Sequence, residues 1–190
     1  MPRFNKITIF GFADSHEDRP EWKDAYETSK LLAENGYTIV NGGGPGVMKA
    51  ATLGAKEGNG SVVGVSFYPK DAPYFEGRDR SNPIDQEIKT QNYLERTLRL
   101  LEQGDAYVLF KGGTGTISEF GMVWGTARLY FGHHKPFILY GEFWHEIMEA
   151  LAKNMYIRGE ELKVYRIVDT PEEVLEELQK MDVEDESSFL

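Results

Sequence analysis

Cysteine is absent from the 190-residue sequence, and its absence removes several kinds of chemistry at once. Disulfide bonds, thiolate nucleophiles and cysteine-based metal sites are all excluded. A cysteine-free chain is compatible with a reducing compartment, so we predict a cytoplasmic protein. No segment approaches the roughly 18 consecutive apolar residues of a transmembrane helix, and the apolar run Ile7–Phe10 is too short for a signal peptide. We therefore expect a soluble protein with no membrane partner.

Positive charge is also scarce, because 21 Lys and Arg stand against 31 Asp and Glu and give a formal net charge of −10. Such a charge repels nucleic acid at long range, so we expect no nucleic-acid partner. A small anionic ligand is not excluded, because backbone N–H groups can hold a phosphate inside an acidic protein. The adjacent pair His133-His134 points in two directions and lacks a third ligand, so we expect no metal site.

Six short apolar runs, rich in β-branched residues, recur along the chain and predict β-strands. They are Ile7–Phe10, Tyr37–Val40, Ser61–Val65, Ala106–Phe110, Phe137–Tyr140 and Val164–Val168. Amphipathic helical patterns separate them, and continuous apolar strands are typical of a parallel sheet covered by helices on both faces. The sequence therefore predicts an α/β fold, a Rossmann-like three-layer sandwich with a central parallel sheet.

One such domain is expected over residues 1–180, followed by an acidic, flexible tail over residues 181–190. The segment Tyr68–Lys89 is charged and contains three prolines, which favours a long loop at the border of an active site. Near the C-terminus, Thr170-Pro171-Glu172-Glu173 forms a capping box with proline at the first helical position. This motif predicts where the last helix begins.

Two glycine-rich loops follow predicted strands and precede predicted helices. The first contains Gly42, Gly43, Gly44 and Gly46, and the second contains Gly112, Gly113, Thr114, Gly115 and Thr116. We expect the helix after the second loop to begin around Ile117. Glycine lets backbone N–H groups approach a ligand, and at the carboxyl ends of parallel strands such loops would bind a phosphate. Tight-turn chemistry is the alternative explanation for either loop alone.

Neither loop carries the common nucleotide-binding signatures. No Gly-Lys-Ser or Gly-Lys-Thr follows, as a P-loop requires, and Val47 stands where the dinucleotide fingerprint requires Gly or Ala. Lys111, just before the second loop, either adds charge to a phosphate site or is an exposed cation at a strand end. Nothing marks a partner for a pyridoxal ring beside it, so we expect no cofactor.

The segment 112–119, Gly-Gly-Thr-Gly-Thr-Ile-Ser-Glu, resembles the Pro-Gly-Gly-x-Gly-Thr-x-x-Glu signature of the Lonely Guy family of phosphoribohydrolases, often labelled lysine decarboxylase-like. Residues 42–48 are similar to that family's other glycine motif. Residues 93–97 occupy the place of its Met-x-x-Arg-Lys motif. The similarity extends from Ile7 to about Leu178.

This resemblance implies hydrolysis of the N-glycosidic bond of a nucleoside 5′-monophosphate to free base and ribose 5-phosphate. It also implies that Arg96 and Glu119 are catalytic, that the two glycine loops bind the nucleotide, and that the site is shared across a dimer. The sequence departs from the family pattern at Tyr93, Thr97 and Lys111. A molybdenum-cofactor carrier resembles the same family and binds its ligand without converting it, so a non-catalytic binding protein is the alternative function.

Each implied catalytic residue also has an ordinary explanation. A carboxylate beneath a ribose ring stabilises the charge that develops as the glycosidic bond breaks, but the helix dipole favours a Glu in any first helical turn. Arg96 lies opposite the stripe formed by Leu94, Leu98 and Leu101. It is therefore either solvated, or placed in a cleft where it binds phosphate or ribose oxygens.

The helix after Glu119 carries a Gly-x-x-x-Gly face at Gly121 and Gly125, with several aromatic residues nearby. Small and aromatic faces permit close packing between subunits. We expect a homodimer or a larger even homo-oligomer whose interface includes the helix of Arg96 or the helix Gly121–Phe131.

Overall fold

The computed structural model describes residues 4–70, 75 and 77–187. Within these residues seven strands alternate with six helices. In chain order they are β1 (Lys6–Phe10), α1 (Pro20–Glu34), β2 (Thr38–Asn41), α2 (Val47–Glu57), β3 (Val62–Phe67), β4 (Gln86–Thr90), α3 (Tyr93–Gln103), β5 (Ala106–Leu109), α4 (Thr114–Leu129), β6 (Phe137–Tyr140), α5 (Phe143–Asn154), β7 (Arg166–Val168) and α6 (Pro171–Ser187). The sheet has the order β4-β3-β2-β1-β5-β6-β7, and each pair of neighbouring strands is parallel.

Helices cover the sheet on both faces and enclose two apolar cores. One core contains buried side chains of α1, α2 and α6, and the other contains buried side chains of α3, α4 and α5. Successive strand residues alternate between them, since Ile39 belongs to the first core and Val40 to the second. Because both faces are buried, the inner strands are continuous apolar runs. The predicted Rossmann-like three-layer sandwich is confirmed.

The last helix begins at the capping box. The Glu173 backbone N–H donates to Thr170 Oγ1 at 3.2 Å, and the Thr170 N–H donates to the Glu173 carboxylate at 3.3 Å. These reciprocal bonds satisfy two amides that the helix itself leaves unpaired. The backbone of α6 is helical as far as Ser187. The division into a domain over 1–180 and a flexible tail over 181–190 stays a prediction.

Two predicted boundaries were wrong. The expected loop Tyr68–Lys89 contains the first residues of β4, an edge strand whose single apolar residue is Ile88. With one face toward solvent and so little apolar character, this strand produces no hydrophobic run in the sequence. The helix α4 begins at Thr114 rather than around Ile117, so part of the second glycine loop forms the first helical turn.

Two kinds of feature are missing from the part of the chain that the structure describes. It has no group of three or more His, Asp or Glu side chains placed to hold a metal ion, and no helix with the length and apolar character needed to cross a bilayer. His134 instead places Nε2 3.2 Å from the Val164 carbonyl oxygen. The cytoplasmic localisation inferred from the lack of cysteine stays a prediction.

Candidate functional site

The two glycine loops meet at the carboxyl-terminal end of the sheet. The first follows β2, the second follows β5, and β1 lies between these strands. The carboxyl ends of the three strands therefore border one crevice, the usual ligand position in an open α/β sheet. This crevice contains a cavity of about 440 Å³.

Seven of the eleven predicted site residues line this cavity: Gly42, Arg96, Gly113, Thr114, Gly115, Thr116 and Glu119. The remaining four, which do not line it, are Gly43, Gly44, Gly46 and Gly112. Gly46 precedes α2 with a φ of +62°, and a Cβ there would come within 2.3 Å of the Phe12 carbonyl oxygen. The tight-turn explanation therefore applies to Gly46.

The second loop turns directly into α4 beside the cavity. Gly113 is the N-cap residue, and no side-chain hydrogen bond caps this helix end. The backbone N–H of Ile117 donates to the Gly113 carbonyl oxygen at 3.0 Å. Because the amides of the first turn and the helix dipole both favour negative charge, this end of α4 suits a phosphate group.

Glu119 lies in the wall of the cavity, with 7% of its surface exposed. Burial raises the pKa of its carboxyl to about 7, and the positive charge of Arg96 opposes this rise. A carboxyl group with a pKa near neutrality can accept or donate a proton during a reaction. The expected position of Glu119 in the first helical turn was wrong, because α4 begins at Thr114 and its first turn contains no acidic residue, so the helix-dipole explanation does not apply to Glu119.

Arg96 is similarly buried, with 6% of its surface exposed, and lines the same cavity. Its Nε donates to the Val65 carbonyl oxygen at 3.0 Å, and its guanidinium carbon lies 5.7 Å from the centre of the Phe75 ring. Burial lowers its pKa, and the charge of Glu119 raises it in part. One chain thus supplies both residues to a single cavity.

The orientation of α3 decides between the two explanations for Arg96. Asn92 caps the helix by accepting the Glu95 N–H at 2.8 Å, which places Arg96 near its start. The face containing Arg96 turns inward, whereas Leu94 is 69% exposed and Leu98 is 50% exposed. Arg96 therefore lies in a cleft, and part of the leucine stripe lies on the surface.

A model of the SLOG cluster4 family matches residues 5–166 of this chain. The chain belongs to that family. A Mycobacterium tuberculosis protein named cytokinin riboside 5′-monophosphate phosphoribohydrolase is 32% identical over 123 residues, a match that covers 64% of this chain and 63% of that protein. A rice protein with the same name, marked probable, is 27% identical over 186 residues, covering 94% of this chain and 73% of its own length. The resemblance to the Lonely Guy family is confirmed.

A solved structure has the same fold as this SLOG cluster4 chain. It is the molybdenum cofactor binding protein of Rippkaea orientalis, with a TM-score of 0.66 and 24% sequence identity. The superposition covers 94% of this chain and 98% of that one. The likeness supports the arrangement of the sheet and helices around the crevice.

The three departures from the Lonely Guy motifs occupy different places in this SLOG cluster4 chain. Lys111 is exposed and does not line the cavity, and its Nζ lies 5.4 Å from the centre of the Phe143 ring. Thr97 is fully buried and donates its hydroxyl to the Tyr93 carbonyl oxygen at 3.1 Å. Tyr93 lines the cavity, with its hydroxyl 3.0 Å from that of Ser118.

Sequence reasoning missed several lining residues, among them Phe12 and Phe75. Phe12 is 41% exposed and follows β1 by two residues, and that position at the carboxyl end of the central strand was the available signal. Phe75 belongs to the segment Tyr68–Lys89, which the sequence predicted at the border of an active site, although nothing in the sequence singled out this residue. Both rings offer apolar faces on which a planar base can stack.

Proposed function

We propose that this chain hydrolyses the N-glycosidic bond of a nucleoside 5′-monophosphate and releases free base and ribose 5-phosphate. One observation carries the proposal: a single cavity combines the buried Glu119 carboxyl, the buried Arg96 guanidinium and the uncapped N-terminus of α4. The names of the mycobacterial and rice relatives state this reaction class for a cytokinin riboside 5′-monophosphate. Our proposal extends to the 5′-monophosphate class and leaves the base open.

Each part of the cavity has a task in this reaction. The N-terminus of α4 binds the phosphate, and Arg96 holds ribose or phosphate oxygens through its planar N–H groups. The bond between ribose C1′ and the base nitrogen breaks, and its electron pair leaves with the base, which takes up a proton from the solvent, while the proton that Glu119 removes from the attacking water returns to the solvent. The Glu119 carboxylate stabilises the positive charge on the ribose ring and accepts a proton from the water whose oxygen bonds to C1′. Phe12 and Phe75 provide faces for the base.

A panel of nucleoside 5′-monophosphates tests this function. We expect at least one of them to yield free base and ribose 5-phosphate, and the matching nucleoside, which lacks the phosphate, to yield neither. Chromatography of the free base measures both. Equal turnover of nucleotide and nucleoside would contradict the phosphate-binding role of α4.

The alternative is a protein that binds a nucleotide or another phosphate-bearing cofactor without converting it. Its support is the fold shared with the molybdenum cofactor binding protein. Under this alternative, monophosphates raise the melting temperature, because a ligand that binds the native state stabilises it, but no base is released. The same panel, followed by thermal denaturation, separates the two functions.

We also propose that the chain forms a homodimer or a larger even homo-oligomer through α3 and α4. Both helices expose apolar residues on their outer faces. These are Leu94 and Leu98 of α3, Ile117 and Leu129 of α4, and Tyr130, which directly follows α4. A Cβ added at Gly121 or Gly125 would meet no atom of the described residues outside its own helix turn within 4 Å, which leaves room for a second backbone. A two-fold contact would bury this face against its own copy.

Replacing Leu98 with Glu should convert the oligomer to a monomer, because a charge would enter the apolar contact without a partner. Size exclusion with light scattering measures the change in mass. Met155→Glu is the matched control, since Met155 is 60% exposed and lies outside α3 and α4. A wild-type monomer at micromolar concentration, or equal effects of the two variants, would contradict the proposed interface.

A further inference from the structure

The connection between β3 and β4 makes several hydrogen bonds to the first glycine loop. The Asp79 N–H donates to the Gly43 carbonyl oxygen at 3.0 Å, and the buried Asn82 donates Nδ2–H to the Gly44 carbonyl oxygen at 2.8 Å. These bonds join parts of the chain more than 30 residues apart. The first glycine loop therefore depends on this connection as well as on its own turn geometry.

Arg78 also belongs to this connection, and its side chain is only 11% exposed. Its Nη1 donates to the Gly43 carbonyl oxygen at 3.2 Å and also to the Asp79 carbonyl oxygen, and its Nη2 donates to the Asn82 carbonyl oxygen at 3.0 Å. The Glu87 carboxylate lies 3.7 Å from Nε. Most of the guanidinium therefore binds backbone carbonyl groups, although burying a charged group carries a desolvation cost.

The loop that Arg78 holds is in direct contact with Arg96. A Cβ added at Gly42 would lie 1.6 Å from Arg96 Nη2, so the loop backbone borders the guanidinium with no space for a side chain. On the other side, Arg96 donates Nε–H to the Val65 carbonyl oxygen of β3. The Arg96 guanidinium is thus bordered by the loop and by β3, with Met48 Sδ 3.6 Å from Nη2, and a shift of the loop removes one of these contacts.

We propose that Arg78 is a positioning residue: by fixing the Gly43 carbonyl it holds the Gly42–Gly44 loop, and through that loop it orients the Arg96 guanidinium in the cavity. Arg78 does not line the cavity and does not act on the ligand itself. The expected effect of Arg78 on ligand affinity rests on the proposed function. Its expected effect on the orientation of Arg96 does not.

Arg78→Met tests the proposal, because methionine keeps an extended apolar side chain and removes the N–H donors. Arg80→Met is the matched control, since Arg80 is exposed and lies two residues away. The direct measurement is the nuclear magnetic resonance signal of the Arg96 Nε–H, together with hydrogen exchange of the amides at residues 42–46. We expect the Arg96 signal to broaden and the loop amides to exchange about tenfold faster in Arg78→Met only.

Ligand binding supplies the second measurement. The dissociation constant of a nucleoside 5′-monophosphate should rise about tenfold in Arg78→Met. The double variant Arg78→Met/Arg96→Met should bind little more weakly than Arg96→Met alone, because both changes act through the Arg96 guanidinium. Arg78→Lys, which keeps one donor for Gly43, should recover part of the affinity. Additive effects of Arg78 and Arg96 would overturn the proposal.

Failure of this role is distinguishable from failure of the proposed function. An unchanged Arg96 signal and unchanged loop exchange in Arg78→Met would overturn the positioning role, whatever the ligand results. Faster exchange throughout the chain, in both Arg78→Met and Arg78→Lys, would overturn it in favour of a general contribution to stability. If the wild-type protein binds no monophosphate, the proposed function fails, and the Arg96 signal still decides the role of Arg78.

Discussion

Replacing Glu119 with Gln is expected to lower the turnover of a nucleoside 5′-monophosphate by about 10²–10⁴-fold, the usual contribution of a group that transfers protons in the transition state. Glutamine keeps the size of the side chain and loses only its ability to ionise. Ligand binding, measured by thermal shift or calorimetry, should therefore change much less than the rate. Steady-state kinetics on the substrate found in the panel measures the loss.

The same substitution should stabilise the protein at alkaline pH. Burial holds the pKa of Glu119 at about 7 in the folded state, compared with an ordinary value of 4.5. The folded state binds the proton more tightly, so this contribution to stability is fully present below about pH 4.5 and is lost as pH rises through 7. The shift corresponds to about 3 kcal/mol. Glu119→Gln avoids this loss, so its stability relative to wild type should rise between pH 5 and pH 8.

Two measurements separate this catalytic role from a purely structural one. Wild-type kcat/KM should increase as pH rises through about 7, because the reaction needs the Glu119 carboxylate. Glu146→Gln is the matched control, since Glu146 is an exposed glutamate in the first turn of α5. Retained turnover in Glu119→Gln, or the same small change of stability in both variants, would contradict the catalytic role of Glu119.

The sequence predicted the features of the fold that depend on local patterns. Each inner strand is an apolar run because both faces of the sheet are buried, and each glycine loop is visible because it directly follows such a run. The edge strand β4 lacked this signal, since one side of it has no neighbouring strand and it contains one apolar residue. Local pattern therefore identified the inner strands and the edge strand β7, and it failed at the edge strand β4.

The site was less predictable than the fold, because the burial of its residues does not follow the hydrophobic pattern of the sequence. The spacing of Leu94 and Leu98 favours an inward leucine stripe, but α3 buries Arg96 and exposes those leucines. A helix that buries a cation on one face and exposes leucine on another is typical of a functional site or a subunit contact. Nothing singled out Arg78 within the segment predicted to border the site, because its contact with Gly43 joins positions 35 residues apart. Such contacts depend on tertiary structure.

Adding one methyl group at Gly42 is expected to lower kcat/KM by about 10²-fold while changing the melting temperature by only a few degrees. A Cβ at this position would lie 1.6 Å from Arg96 Nη2 and 2.7 Å from Met48 Sδ. Both atoms belong to the far ends of flexible side chains, so the protein can fold after they move. The guanidinium, however, can no longer occupy its place in the wall of the cavity. Kinetics and thermal denaturation of Gly42→Ala measure the two effects separately.

Gly159→Ala is the matched control for Gly42→Ala, because residue 159 is exposed and a Cβ there would meet no atom of the described residues within 4 Å. If Gly42→Ala acts by displacing Arg96, then Arg96→Met combined with it should be little worse than Arg96→Met alone, since the two changes remove the same interaction. Full activity of Gly42→Ala would show that catalysis does not need the guanidinium at this position. A large fall in melting temperature would instead mean that the loop backbone, and not the arginine, has moved.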